Sequence, residues 1–192
     1  MRIFKAHIIG IELGGFLALH IASFKQLSTE ISSLTIISSY MNPTLFQRKS
    51  GVFFKPSGKA IIISDLTDNQ FPPHLRPGAQ FLRRLVEEFP VSLANCRISL
   101  RNESPPAPVP SLPDGAVLVV QSLDFSYKLQ DNAVPHKVIK GAKVALLKKG
   151  GIFPHLIVPS DLLVYVNLHL SKWHSPSPNL KLDSTPEEDQ NK

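Results

Sequence analysis

A short glycine-rich segment, Gly10-Ile11-Glu12-Leu13-Gly14-Gly15, has the residue spacing of a chemical site. A strand is predicted before it and a helix after it, which is the frame of a nucleophile elbow, Gly-x-nucleophile-x-Gly. In such a turn the glycines avoid backbone clashes, the central residue adopts strained dihedral angles, and the helix N-terminus stabilises negative charge. The central residue here is Glu12, a carboxylate where the chemistry of an elbow needs a hydroxyl or a thiol.

The elements around this segment are predicted to form a parallel βαβ unit. Residues 4–9 indicate a strand, and residues 33–39 indicate a second, β-branched strand. Between them, apolar residues recur at helical spacing over residues 13–26, which predicts a helix. A strand, a helix and a strand in this order place the two strands side by side and parallel.

The same alternation returns in the C-terminal part of the chain. Strands are predicted over residues 116–121 and 143–147, with a helix over residues 134–141 between them. A last helix is expected to start at a Ser160 cap and to run to about Trp173. Its apolar face is predicted to carry Leu163, Val166, Leu170 and Trp173.

Residues 40–102 interrupt the alternation and are expected to form an inserted cap. An amphipathic helix is predicted there over residues 81–89, and residues 61–64 are an apolar run of undecided type. The predicted helix is supported by opposite charges four residues apart, namely Arg83 and Arg84 with Glu87 and Glu88.

The predicted domain covers residues 1–174 and contains a proline-rich linker, and an acidic tail follows it. Five prolines within residues 103–114 predict an extended linker, because proline is disfavoured in helices and in central strands. A ligand for an SH3 or WW domain is the alternative interpretation of this segment. Residues 175–192 are expected to form a disordered acidic tail.

Composition excludes several classes of protein. The chain has 192 residues, with 21 Lys and Arg against 15 Asp and Glu, and a formal charge of +6. Its single cysteine, Cys96, excludes an intramolecular disulfide and a cysteine-built zinc site. The basic surplus fits a solvated surface, an anionic membrane surface or an acidic partner. Nucleic-acid binding is not expected, since no basic stripe alternates with aromatic residues.

No apolar stretch of the sequence reaches the roughly 18–20 uninterrupted residues that a membrane span requires. Residues 8–22 follow Arg2 and Lys5 and have some features of a signal peptide. Glu12 and His20 lie within that stretch, and a charge there opposes the apolar region that targeting needs. A secretory signal is therefore not expected.

Four segments of the chain occur in an order known from one family. They are residues 7–18 around the elbow, residues 33–40, the loop Gly150-Gly-Ile-Phe-Pro-His-Leu, and residues 163–174. Together they resemble the maspardin family of α/β-hydrolase-fold proteins, over residues 4–174 and most weakly over 45–80 and the linker. The resemblance implies an α/β fold class: the C-terminal part of an α/β-hydrolase fold, with about four parallel strands, flanking helices and the inserted cap.

The resemblance also implies a position for each member of a catalytic triad. Glu12 lies at the nucleophile position, Asp124 at the acid position and Ile152 at the histidine position. Isoleucine cannot accept a proton, so no catalytic residue is expected. No cofactor and no metal are expected either. In the fold family, strands precede the elbow strand, and one of their loops supplies part of the oxyanion hole. Because the chain starts at the elbow strand, an N-terminally truncated product or a covered sheet edge is expected.

Other chemistry stays open at this stage. His155 could serve as a substitute base, and Glu12 with Asp124 could form a carboxylate pair for acid–base or metal chemistry. His169 and His174 are five residues apart, which is not the spacing of a helical metal pair, so His169 is interpreted as a helix-face histidine. Trp173 is interpreted as a core residue.

By resemblance, the expected function is that of a non-catalytic pseudo-hydrolase. It would be a cytoplasmic protein-interaction adaptor in endosomal or trans-Golgi sorting or in receptor regulation, with protein partners and peripheral membrane association. The cap helix with Arg83 and Arg84 and the open top of the sheet are the expected contact surfaces. Residual esterase activity and a fragment without function are the competing hypotheses.

Overall fold

Four parallel strands form a single sheet in the order in which they occur along the chain. The computed structural model describes residues 5–28, 30–42, 63, 71–88, 90, 92, 105–124 and 134–174, and the fold is given for these. The strands are β1 (Ala6–Ile11), β2 (Ile31–Ile37), β3 (Val117–Ser122) and β4 (Lys143–Leu147). The predicted α/β class with four parallel strands is confirmed.

Helices flank the sheet. They are α1 (Leu13–Ser23), α2 (Lys25–Ser28), α3 (Arg76–Glu88), α4 (Pro135–Val138), α5 (Pro154–Ile157) and α6 (Pro159–Trp173), with a short 3-10 turn at Pro73–Leu75 before α3. Only α1, α3 and α6 are longer than one turn among the described helices. These three are therefore the helices that can bury a continuous apolar face.

Successive residues of the strands face opposite sides of the sheet, so the strands contribute to two cores. Helix α1 covers one side, where Phe16 and Leu19 pack with apolar residues of β2 and β3. Helix α6 covers the other side, where Leu162 and Val166 pack with the alternate residues of β2, β3 and β4. A third cluster joins α3 to α5, with Ala79 and Val86 of α3 among its buried residues. The central strands β2 and β3 are thus buried on both faces, as strands of parallel sheets are, whereas Val144 and Leu146 of the edge strand β4 are exposed.

The first two strands lie two residues away from their predicted positions. β1 includes Gly10, which pairs with Ile36, although a turn was predicted at this glycine. β2 ends at Ile37, because Ser38 adopts a positive φ of 48° and leaves the strand. The predicted order of strand, helix and strand is confirmed, but the exact ends of the two strands depend on how they pair.

The predicted helix over residues 13–26 is too long, since α1 ends at Ser23. Phe24 is extended, and its N–H donates to the carbonyl of Ile21, which closes the last turn. The separate one-turn helix α2 follows. The predicted helix over 134–141 is also reduced to a single turn, α4, because Ile139 is already extended.

Helix α6 corrects two predictions. Ser160 is not the cap, because the helix begins one residue earlier at Pro159, whose ring favours a first helical position. The predicted buried face is wrong at Leu163, which is 53% exposed, and correct at Val166, which is buried; Leu170 packs partly buried against the same cluster. The buried residues are Leu162, Val166 and His169.

Parts of the predicted cap and linker are described. Helix α3 contains most of the predicted segment 81–89 but begins at Arg76. The proline-rich segment forms neither a helix nor a strand over residues 105–113, and the N–H of its buried Ala107 donates to the carbonyl of Met41 at 2.6 Å. This segment therefore packs against the core. The tail 175–192, Cys96 and most of residues 43–70 lie outside the described residues.

Candidate functional site

The predicted site positions Glu12, Asp124 and Ile152 follow the carboxyl ends of the strands, and so does Ser38. Glu12 follows β1, Ser38 follows β2, Asp124 lies two residues beyond β3, and Gly151 and Ile152 lie in the loop after β4. In open parallel sheets this edge is where binding and catalytic sites are built, because the strand ends and their loops meet there.

Glu12 occupies a sharp turn between β1 and α1. Its φ of 52° and ψ of −115° are strained for a residue with a side chain. The turn is held by its backbone: the Glu12 N–H donates to the carbonyl of Ile37 at 2.9 Å. The Glu12 carbonyl accepts from the Gly15 N–H at 3.1 Å and from the Ser39 hydroxyl at 2.8 Å. The predicted tight bend with strained dihedral angles is confirmed.

Two glycines make this turn possible. A Cβ at Gly10 would lie 2.6 Å from the Cα of Gly15 and would also meet the backbone of Gly14. A Cβ at Gly15 would lie 2.6 Å from the side chain of Ser39. Gly14 has open space where its Cβ would be, so the expected clash at this flank of the motif is wrong. The essential pair is Gly10 and Gly15.

The Glu12 side chain is buried, with 5% exposed, and turns back onto the helix N-terminus. Its Oε2 accepts a hydrogen bond from the Leu13 N–H at 2.6 Å. A carboxylate at this place caps one of the unpaired N–H groups of α1 and interacts favourably with the helix dipole. In elbow enzymes, the N–H of the residue after the nucleophile is a donor of the oxyanion hole. Here the chain's own carboxylate accepts from that donor.

Asp124 is hydrogen-bonded to the loop after β4 that contains Ile152. The two carboxylate oxygens of Asp124 accept from the N–H groups of Gly150 at 3.2 Å and Gly151 at 2.9 Å. Both glycines have positive φ, and a Cβ on Gly150 would lie 2.5 Å from the Ser122 hydroxyl. The carboxylate therefore fixes the loop that leads to Ile152, whose side chain is buried.

Ser38 is a site residue that sequence reasoning missed. It is buried with a positive φ of 48°, and its hydroxyl donates to the carbonyl of Gly151 at 3.4 Å. It thus connects the end of β2 with the loop that carries Ile152, next to the strand end that holds Glu12. The only sequence signal was a pair of serines after a β-branched run, which is too common to single out a site.

His155, the alternative base, lies in the one-turn helix α5. Its ring packs edge-on against Phe153, with centroids 6.0 Å apart. Burial lowers the pKa of His155 below its ordinary value, which favours a neutral imidazole near pH 7. Helix α5 packs against α3, so the predicted cap lies beside this end of the sheet.

Within the part of the chain that the structure describes, no three His, Cys, Asp or Glu side chains are grouped to hold a metal ion. Among the same residues, no helix has both the length and the apolar character of a membrane span. His169, interpreted from the sequence as a helix-face histidine, lies on the buried face of α6. Trp173 is half-buried, and its indole N–H donates to the carbonyl of Gly115 at 3.1 Å.

Comparisons with known sequences point to one group of proteins. No family model matches the chain. Maspardin from Danio rerio is 25% identical over 180 residues, which cover 91% of this chain and 58% of that protein. Human maspardin is 24% identical with the same two shares. The chain thus spans 58% of the length of these relatives.

Solved structures with a similar fold include hydrolases. A hydrolase from Pseudomonas aeruginosa has a TM-score of 0.59 and 16% identity, covering 88% of this chain and 65% of that one. A thermophilic esterase from Thermogutta terrifontis has a TM-score of 0.61 and 14% identity, covering 89% and 66%. At such identities the likeness concerns the fold. The chain therefore has the α/β-hydrolase fold and is similar in sequence to maspardin over most of its own length.

Proposed function

We propose that this chain is a non-catalytic α/β-hydrolase-fold protein that acts by binding other proteins. One observation carries the proposal: the Glu12 carboxylate lies at the nucleophile position and accepts from the Leu13 N–H at 2.6 Å. The residue that should attack and a donor that should stabilise the oxyanion are thereby joined to each other. The elbow keeps its shape while its chemistry is replaced by a helix cap.

The other two triad positions support the same conclusion. Ester hydrolysis by this fold needs a base beside the nucleophile and an acid that orients the base. Ile152 offers a hydrocarbon in place of the imidazole. Asp124 has no histidine at the expected position to orient, and its two oxygens accept from the Gly150 and Gly151 N–H groups. Each position retains a structural role that does not require catalysis.

Helix α3 provides a surface for partners. Ala79 and Val86 are buried against the third apolar cluster, whereas Phe81 is 60% exposed on the same helix. An exposed phenylalanine beside Arg83 and Arg84 combines the residue types that are enriched in protein interfaces. The resemblance to maspardin extends the proposal to a cytoplasmic adaptor in endosomal or trans-Golgi sorting or in receptor regulation, associated peripherally with membranes.

An ester-turnover assay tests the loss of catalysis. The purified chain is incubated with short-chain nitrophenyl esters beside Glu12→Gln and Glu12→Ala. The expected rate equals the background of a non-enzymatic protein and is the same in all three. Saturable turnover that Glu12→Ala abolishes would overturn the proposal, because it would give the carboxylate a catalytic role.

A binding experiment tests the adaptor role. The tagged chain is expressed in cells beside Phe81→Ser and the control Leu168→Ser, which removes an equally exposed apolar side chain from α6. Concentration on endosomal or trans-Golgi membranes is expected for the unaltered chain and the control, with Phe81→Ser diffuse. A diffuse unaltered chain would count against this part of the proposal.

Residual hydrolase activity is the second candidate. The structural neighbours named as a hydrolase and an esterase favour it, as does a half-buried His155 whose lowered pKa keeps it neutral. The same ester assay separates the two functions when His155→Gln is added. A rate lost in His155→Gln but not in the surface control His74→Gln would favour this second function.

A further inference from the structure

Histidines from distant parts of the chain meet at the amino end of the sheet. His7 lies near the start of β1, and its Nδ1 is 2.7 Å from the hydroxyl of Ser33 in β2. The ring of His174, at the end of α6, stacks on His7 with centroids 6.4 Å apart and planes 25° apart. The first strand and the last helix are therefore joined by two imidazole rings.

A third histidine, His169, lies one turn earlier in α6. It is only 7% exposed, and its Nε2 has no hydrogen-bond partner among the described residues. Burial lowers the pKa of His169, and the backbone of Ala116, just before β3, raises this pKa by less. A neutral imidazole tolerates this burial, whereas a protonated ring would bury a charge with one N–H unpaired.

The described charges around these rings are mostly positive. Lys172 of α6 and Lys143 of β4 both lie against Gly115, their side-chain atoms 3.6 and 3.4 Å from where a Cβ would stand. Lys5 precedes β1, and Lys172 and His7 both disfavour a charge on His169. Of the nearby acids, Asp114 lies against Gly141, and Glu30 receives the Ala6 N–H on its backbone carbonyl. A proton bound by one of these rings therefore adds a positive charge where positive groups are already present.

We propose that His7, His169 and His174 form a proton-sensitive latch, which holds the C-terminal end of α6 on the sheet at neutral pH and releases it in mild acid. The three rings connect β1, β2 and the last helix through side chains alone. Protonation of His7 would place a charge against the stacked ring of His174, and protonation of His169 would leave a charge in the core. The latch is independent of the elbow and of the function proposed for it.

The direction of the effect follows from the titration of the rings. Burial, with the charge of His174, lowers the pKa of His7, and burial lowers the pKa of His169, both from 6.5. The released helix therefore binds protons at a higher pH than the docked helix. Docking is favoured above pH 6.5 and is lost as the pH falls below it, by about tenfold in the docked-to-released ratio per pH unit for each extra proton bound.

The only tryptophan of the chain lies inside the latch and can report on it. Trp173 precedes His174, and its indole N–H donates to the Gly115 carbonyl at 3.1 Å. Release of the helix end would break this bond and expose the ring to water. Tryptophan emission of the full chain is measured from about pH 7.5 to about pH 5, with far-ultraviolet circular dichroism on the same samples. The expected result is a red shift below pH 6.5 that precedes any loss of secondary structure.

Two variants assign the transition to the latch. His7→Gln with His174→Gln removes both stacked rings, and the red shift is expected to become shallower or to disappear. The control His136→Gln removes a histidine of α4 whose pKa is also lowered by burial, and the wild-type transition should persist. An emission maximum that does not change with pH would overturn the latch, and so would a shift that coincides with the loss of dichroism. These two outcomes need only the unaltered chain, so they stand even if a variant does not fold.

Discussion

The two ends of the sheet stabilise the fold in different ways. At the carboxyl end lie the two non-glycine residues of the described chain with positive φ, Glu12 and Ser38, and their side chains bond to backbone groups. At the amino end, His7 and His174 connect elements through stacked rings. The difference teaches that strained backbone at one end of the sheet is held by hydrogen bonds to backbone groups, whereas the other end is closed by contacts between side chains of distant elements.

The largest expected effect comes from breaking the elbow. Gly10→Ala would place a Cβ 2.6 Å from the Cα of Gly15, and neither backbone can move without distorting β1 or α1. The free energy of unfolding should fall by at least about 3 kcal/mol, measured by urea denaturation. Gly14→Ala is the matched control, because its Cβ meets open space; it should leave stability unchanged or raise it by about 0.5–1 kcal/mol. Equal losses in both would contradict the assigned roles.

Asp124→Ala tests the carboxyl end at the loop after β4. It removes the acceptor of two N–H groups, those of Gly150 and Gly151, and should lower the free energy of unfolding by about 1–3 kcal/mol. Asp124→Asn retains one acceptor oxygen and should lose about half as much. A denaturation midpoint that neither substitution moves would show that the loop is held by other contacts.

Trp173→Phe tests the amino end with a smaller change. The phenyl ring keeps most of the packing but cannot donate to the Gly115 carbonyl, so a loss of about 1 kcal/mol is expected. Tyr165→Phe is the control on the exposed side of the same helix and should change stability by less than about 0.5 kcal/mol. Circular dichroism is the measurement, since the first substitution removes the fluorophore.

The smallest expected effect is a dependence of stability on pH, to which histidines at both ends of the sheet contribute. The pKa values of five histidines, His7, His20, His136, His155 and His169, are lowered, and burial is the largest cause for each. The unfolded chain binds more protons below pH 6.5, so the urea midpoint should decrease as the pH falls from about 7.5 to about 5.5. A midpoint that rises over this range would contradict these pKa directions.

The fold could be predicted from the sequence because the decisive signals are local. Alternating apolar runs and the glycines around Glu12 indicated a strand, a tight turn and a helix, and β4 lies where it was predicted. Positions for which neighbouring residues compete were harder to predict from the sequence. Pro159 displaced the Ser160 cap, and the consecutive residues Leu162, Leu163 and Val164 did not reveal which of them would be buried.

The site was only partly predictable for a related reason. The motif located Glu12, but its hydrogen bond to Leu13 depends on a side-chain rotamer that a pattern does not encode. Ser38 acquires its positive φ from the way β2 ends, and the contact of His7 with His174 joins residues at opposite ends of the described chain. Such contacts between distant residues are consequences of topology and become visible only in three dimensions.

The central claim is that the Glu12 carboxylate occupies the Leu13 amide at the elbow. Amide chemical shifts of the nitrogen-15-labelled chain, compared between wild type and Glu12→Gln, test it most directly. A charge-assisted hydrogen bond is stronger than one to a neutral amide, so the Leu13 proton should move markedly upfield in Glu12→Gln, with distant amides unchanged. A Leu13 resonance at the same position in both proteins would contradict the claim.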